Sequence, residues 1–212
     1  MGRLAQTLGP RGGTVMKPID FWIEYGSTYT YLSVARIRKL AAMHGVEVRW
    51  QPFFVMPIMV ELGLTQGPFI PYPSKTAYMW RDIERRAMRH TIAYTKPSTY
   101  PVNSLATARI ACIAADEGWC QEFTERVFAL HWTRNIPIGS DENLRTVLAG
   151  LVQSPDEVIA RAQTAQVKDK LKEQTDRAKS LGIFGAPSFT VGKELFWGDD
   201  RLEEAFEWAR NQ

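Results

Sequence analysis

The chain has 212 residues, 45% hydrophobic and 23% charged, the balance of an ordinary globular protein with one large domain or a small domain carrying an insertion. A net charge of +3 is too small to gather nucleic acid, and no run of about 18 apolar residues offers a membrane span.

Residues 1–17 are Gly-rich and lack the compact apolar stretch of a secretory signal, so they are expected to form a flexible tail, with Met16 an alternative start. Gln6 stands where an N-myristoylation signal carries Ser or Thr. "IDFWIEY" (19–25) alternates Phe21, Ile23 and Tyr25 against Asp20 and Glu24, a strand pattern. "YLSVARIRKLAAMH" (31–44) then gives a helical apolar face through Leu32, Val34, Ile37 and Leu40. Arg36, Arg38 and Lys39 fall on its other side, and Gly45 is its stop. "VEVRWQPF" (46–53) alternates again and closes at Pro52, completing a βαβ unit.

Residues 54–74 read as a Pro- and Gly-rich loop with room for one helical turn. Helices are predicted over 75–90, 103–118 and 119–132. Ser154, Pro155 and Glu157 read as cap, first-turn proline and capping-box partner, opening a long polar helix that runs to about Gly182. Residues 187–192 and 193–198 form a predicted hairpin turning at Gly192–Lys193, followed by a closing helix over 199–210. The order predicts an α/β, thioredoxin-like fold, β-α-β then β-β-α, with an all-helical insertion. Residues 18–53 and 183–212 would form the thioredoxin-like domain and 54–182 the insertion.

In that fold the N-terminus of the first helix is the reactive position, and here it reads Ser27-Thr28-Tyr29-Thr30. Hydroxyls replace both sulfurs of a Cys-x-x-Cys pair, which excludes thiol–disulfide exchange at this point. Cys112 and Cys120 have neither redox nor zinc spacing and read as ordinary thiols of a reducing cytoplasm. His44, His90 and His131 lie far apart, so no metal site is expected. A helix N-terminus with a hydroxyl donor stabilises an anion, and a bound exogenous thiolate fits that setting. Ser27 has no evident His base nearby, so it reads as a donor rather than an attacking nucleophile, or else as a simple helix cap. Pro187 opens a strand. An isolated X–Pro bond favours trans, but the fold context favours a cis bond that presents the Ala186 backbone to an extended peptide. Asp199 or Asp200 would cap the last helix or meet an ammonium group.

The segments "DFWIEYGSTYTYLS", "PYPSKTAY", "YPVNSLATAR", "GIFGAPSF" and "WGDDRL", in this order over residues 18–210, make the chain similar to the 2-hydroxychromene-2-carboxylate isomerases. These are DsbA-like proteins related to kappa-class glutathione transferases. The resemblance implies glutathione as cofactor, with Ser27 at its sulfur and Ala186 and Pro187 along its cysteinyl backbone. It places Asp199 and Asp200 at the γ-glutamyl end, and Gln66 and Lys75 toward the glycine carboxylate. Gln66 stands where the family has Asn, and Thr28 where many isomerases have Pro. The implied reaction interconverts a cyclic aromatic hemiketal carboxylate and a trans-benzylidenepyruvate through a transient glutathione adduct. That points to a cytoplasmic enzyme of aromatic catabolism, in a homodimer, with a small aromatic carboxylate as its other partner. Tyr29, Tyr31, Trp80, Asn103 and Trp197 are candidates for the substrate pocket. Arg81, Arg85 and Arg89 form a basic stripe that reads as a solvated helix face. Two other readings fit the same residues: a kappa-type transferase or peroxidase, and a non-catalytic DsbA-like peptide-binding module.

Overall fold

A computed structural model describes residues 16–211, so the expected tail over 1–17 lies outside the described residues except for Met16 and Lys17. Strand β1 (Ile19–Ile23), helix α1 (Thr28–His44) and strand β2 (Val48–Pro52) form the βαβ unit. Near the C-terminus, β3 (Ser188–Val191) and β4 (Glu194–Trp197) form the hairpin, turning at Gly192 with φ +62°. The sheet order is β2-β1-β3-β4, with β1 parallel to β2 and antiparallel to β3. This is a thioredoxin-like arrangement.

Strand β1 is buried on both faces, which the alternation of its sequence does not predict. Phe21 lies between Trp50 and Phe189 at centroid distances of 5.3 and 5.1 Å, in the large core beneath α1. Trp22 points the other way, into a second apolar cluster with Phe53, Ile58, Ala178 and Ile183. Its indole N–H donates to Thr190 Oγ1 at 3.1 Å, which satisfies the polar atom that burial would otherwise strand. Burying each such side chain contributes about 1.5–3 kcal/mol, so covering both faces makes β1 the fixed reference of the fold.

Between β2 and β3 run α2 (Met56–Glu61), α3 (Pro73–Arg89), α4 (Leu105–Glu117), α5 (Cys120–Arg134), α6 (Asp141–Ala149), α7 (Pro155–Arg161) and α8 (Ala165–Ser180). Helix α6 was not expected. It starts at Ser140, whose Oγ accepts the Asn143 N–H at 3.1 Å, and it buries Leu144, Val147 and Leu148. The expected long polar helix is two helices. Thr164 takes an extended backbone, φ −66° and ψ 154°, and caps α8 by accepting from Val167, so the chain breaks between α7 and α8. Ser154 makes no side-chain cap bond, although Pro155 does occupy the first turn of α7. The expected closing helix begins later, as a 3-10 turn over Asp199–Arg201 followed by α9 (Leu202–Arg210). One apolar cluster runs from the β1–α1 unit through α3, α4 and α5 into α9. Among the described residues no helix is long and apolar enough to cross a membrane.

Candidate active site

The C-terminal end of β1, the first turn of α1 and the turn before β3 open on a single cleft of about 870 Å³, a size suited to a small organic ligand. Ser27 stands at the N-cap position with extended backbone, yet its side chain makes no capping bond. Its Oγ instead donates to the Ala186 carbonyl at 2.8 Å. The simple-cap reading is therefore replaced: the hydroxyl is spent across the cleft, and the first-turn N–H groups keep no acceptor from Ser27. The Ala186–Pro187 bond is cis. The Pro187 carbonyl accepts the Gly198 N–H at 2.9 Å, which ties this turn to the end of β4.

Asp199 does not cap a helix, and although it lines the cleft its carboxylate is taken up by protein donors. It is 1% exposed, and Oδ1 accepts the Ser33 hydroxyl at 3.1 Å and the Arg36 guanidinium. Oδ2 accepts Arg86 Nε at 2.8 Å, so both oxygens are occupied by protein donors. Arg36, expected to face solvent, is buried with this carboxylate and also bonds Glu203 and the Leu32 carbonyl. Asp199 acts as an anchor, and the accessible acidic group beside it is Asp200, half exposed and paired with the adjacent Arg201. A buried carboxylate clamped by two guanidiniums is costly to break, because removing one partner leaves the others as uncompensated charge.

Lys75 lies near the start of α3, with Nζ 5.3 Å from the Phe69 ring centroid and 5.9 Å from that of Tyr72. Among the described residues it has no carboxylate partner, and it lines the cleft together with Gln66. Tyr29 also lines the cleft, its hydroxyl donating to Asp82 Oδ2 at 3.0 Å. Trp197, 52% exposed, stands edge-on to Phe184 with centroids 4.7 Å apart. It can lie there because Gly185 has no Cβ, which would otherwise sit 2.5 Å from the indole nitrogen. Asn103 is on the cleft rim, its Oδ1 accepting the Leu105 N–H at 3.3 Å.

Two expected pocket aromatics are elsewhere. Trp80 is packed against Tyr100, at 5.1 Å, and Trp132, at 6.2 Å, with Lys96 over its ring. Tyr31 is buried, stacked on Trp132 at 5.0 Å, and bonds the Ala93 carbonyl. Both face the core of the helical part, where planar rings fill space between helices. Arg81 and Arg85 pair with Glu84 and Asp82 on an exposed face, as expected.

Two cleft residues carry no expectation of function from the sequence. Arg86 belongs to the buried side of α3 by its spacing from Met79 and Ile83, a signal obscured by the three neighbouring exposed arginines. Glu24 was assigned to the polar side of β1, but it is 3% exposed in the cleft wall. Ser104 Oγ donates to its Oε1 at 2.6 Å, the Ser27 N–H donates to its backbone carbonyl at 3.3 Å, and the backbone of Gly26 and Ser27 beside the carboxylate favours its charged form. Burial dominates over these bonds and pushes its pKa up from 4.5 to about 7. Cys112 and Cys120 are buried away from the cleft, and burial pushes both thiols up to about 12. Neither is a nucleophile at neutral pH.

This architecture has known counterparts. A 2-hydroxychromene-2-carboxylate isomerase of Sphingobium xenophagum is 23% identical over 191 residues, covering 88% of this chain and 95% of that one. Glutathione S-transferase kappa 1 of Caenorhabditis elegans is 25% identical over 198 residues, covering 87% of each. The solved structure of a 2-hydroxychromene-2-carboxylate isomerase superposes with a TM-score of 0.81 at 24% identity, over 91% of this chain and 94% of that one. The family described as the DSBA-like thioredoxin domain matches residues 18–207. With that match over most of its length, its thioredoxin-like sheet order and its cis-proline turn before β3, the chain belongs to that DsbA-like family.

Proposed function

We propose that this protein is a glutathione-dependent isomerase of the 2-hydroxychromene-2-carboxylate type. The observation that carries the proposal is Ser27, a hydroxyl at a helix N-terminus, aimed at the cis-proline turn in a cleft whose described lining has no cysteine. Such a site lacks a sulfur of its own but is built to hold one. The names of the relatives agree, since isomerases and kappa-class glutathione transferases match at similar identity over most of the chain.

The donor set fits glutathione. Lys75, with no carboxylate partner among the described residues, suits a terminal carboxylate, with Gln66 as a further polar group in the cleft lining. The Ala186 backbone suits an extended cysteinyl residue, and Asp200 an α-ammonium group. When bound, glutathione supplies a thiolate that adds reversibly to a conjugated carbon, turning a double bond into a rotatable single bond. Ser27, turning its one hydroxyl proton from the Ala186 carbonyl to the sulfur, stabilises the negative charge together with the first-turn N–H groups of α1. Tyr29, Phe54, Met59, Phe69 and Trp197 offer apolar cover for an aromatic ring, and Arg86, held by Asp199, places a cation in the same wall.

Calorimetric titration with glutathione, with the ultraviolet thiolate band followed in parallel, tests the reading. Wild type is expected to bind and show the band. Ser27→Ala is expected to bind but lose it, because removing a hydrogen bond to a charged sulfur raises the thiol pKa by about 1–2. Failure of wild type to bind millimolar glutathione refutes the proposal. A kappa-type transferase would share this site, given the relatives of that name. Turnover of a chromene carboxylate without net loss of glutathione identifies the isomerase, and stoichiometric loss identifies the transferase.

A further inference from the structure

We propose that Glu24 is the proton acceptor of the cleft, taking the proton from a thiol bound against Ser27 and holding it while the sulfur is anionic. The proposal rests on the thiol-binding reading above and adds to it the destination of the proton. The S–H bond breaks with its electron pair left on sulfur, an O–H bond forms on the Glu24 carboxylate, and the transfer reverses when the thiol is regenerated.

The placement of Glu24 has no purely structural economy. Its carboxyl is almost fully buried, yet it forms part of the same cleft wall as Ser27. Among the described residues no lysine or arginine pairs with it, in contrast to Asp199, whose charge is answered by Arg36 and Arg86. Its carboxyl accepts from the Ser104 hydroxyl and lies against Gly26, while the Ser27 N–H donates to the Glu24 backbone carbonyl at 3.3 Å, which ties it to the turn that carries the proposed sulfur donor. These bonds fix the carboxyl at the foot of α1 without neutralising it. Other charged groups line the cleft: Lys75, Asp82 and Arg86 from α3, and Asp199, Asp200 and Arg201 from the 3-10 turn, with the hydroxyls of Tyr29 and Tyr100 also present. None of them moves the Glu24 proton; burial raises its affinity, and the Ser104 hydrogen bond with the adjoining Gly26 and Ser27 backbone lowers it, leaving exchange near neutral pH. A second anion in this wall disfavours a bound thiolate, and a neutral Glu24 removes that penalty. Moving one proton from sulfur to carboxyl keeps the cleft's net charge constant.

The test is calorimetry of glutathione binding at pH 8 in buffers of different ionisation enthalpy, which counts protons released. Wild type is expected to form the thiolate band and release only a small fraction of a proton, because Glu24 takes it. Glu24→Gln, showing the same band, is expected to release about one proton per thiol bound. At pH 6 Glu24 is already protonated, so the two proteins should release nearly the same number. Equal release at pH 8, with the band in both, overturns the proposal while leaving glutathione binding intact. Absence of binding overturns the glutathione reading itself. An infrared difference spectrum of wild type minus Glu24→Gln, without ligand, gives an independent readout. A carboxyl that fails to titrate between pH 6 and 8 overturns the proposal whatever the thiol does. Should Glu24→Gln not fold, Ser104→Ala serves instead. Loss of its hydroxyl should shift the carboxyl titration to higher pH, and an unshifted titration counts against the proposal.

Discussion

Replacing Glu24 by Gln should expose a pH dependence of stability that the wild-type protein conceals. Folding raises the Glu24 pKa from 4.5 to about 7. A group raised in this way contributes stability that is complete below pH 4.5 and is lost as pH rises through about 7, amounting to about 3 kcal/mol. His131 acts in the opposite sense. It is 4% exposed, and its Nδ1 has no hydrogen-bond partner among the described residues. Burial lowers its pKa from 6.5 to about 4, so it contributes stability above pH 6.5 that is lost as pH falls through about 4, again about 3 kcal/mol. Between pH 4.5 and 6.5 the two effects oppose each other and nearly cancel. The assay is urea unfolding of wild type and Glu24→Gln from pH 4 to pH 8. Gln keeps an acceptor for Ser104 but does not titrate. The variant should therefore lose stability steeply toward acid, driven by His131, and gain on wild type by about 3 kcal/mol between pH 4 and pH 8. For a chain of this size that is roughly 6–12 °C in melting temperature. Parallel stability curves for the two proteins would refute the reasoning, since every other titrating group is common to both.

Asp199→Asn should destabilise the fold by about 3–5 kcal/mol in urea, because Arg36 and Arg86 would face each other without the carboxylate between them. Gly139→Ala meets two obstacles, φ +79° and a Cβ placed 2.0 Å from the Asn103 carbonyl oxygen, and should cost roughly 2–4 kcal/mol by the same measurement. Gly185→Ala should leave stability within about 1 kcal/mol of wild type, since the indole it displaces is already half exposed. Its glutathione affinity should fall roughly tenfold as Trp197 swings across the cleft, and calorimetry showing unchanged affinity would remove Trp197 from the site.

The sheet was legible because its strands announce themselves twice, by period and by punctuation. β1 and β2 are bounded by Gly26 and Pro52, and the β3–β4 turn is marked by Gly192. The ends of helices were less so. Thr164 splits a polar helical stretch that no glycine or proline interrupts, and only its extended backbone and its bond from Val167 reveal the break. At the site, Ser27, Lys75, Ala186 and Asp200 came from the order of short segments and do line one cleft. Asp199 and Asp200 look equivalent in sequence, yet one is buried between guanidiniums and the other is half exposed. That difference is decided by Arg36 and Arg86, which lie more than 100 residues away in sequence. Glu24 was invisible for a related reason. Strand alternation assigns it to solvent, but the loop carrying Ser104 closes over the end of β1, and nothing in the local pattern records that loop.

On the glutathione reading proposed above, the arrangement of charge accounts for how a fold associated with paired cysteines would work with hydroxyls. A sulfur supplied by a ligand must be oriented and stabilised by the protein, because no covalent bond fixes it in place. The rigidity comes from the Asp199 cluster, which joins α1 through Ser33 and Arg36, α3 through Arg86, and α9 through Glu203, all around the 3-10 turn that follows β4. That cluster binds the helical part to the sheet part at the wall of the cleft. Ser27 and Ala186 then meet across the cleft at 2.8 Å, on two segments whose positions are held by β1 and β3 of the same sheet. Charges that hold the scaffold are thus buried and paired, whereas Lys75 has no acidic partner among the described residues and the Asp200 carboxylate is half exposed. Glu24 is the exception, buried and without a cation among the described residues. Burial without a cation holds its carboxyl ready to take up a proton near neutral pH, the range in which a bound thiol must lose one.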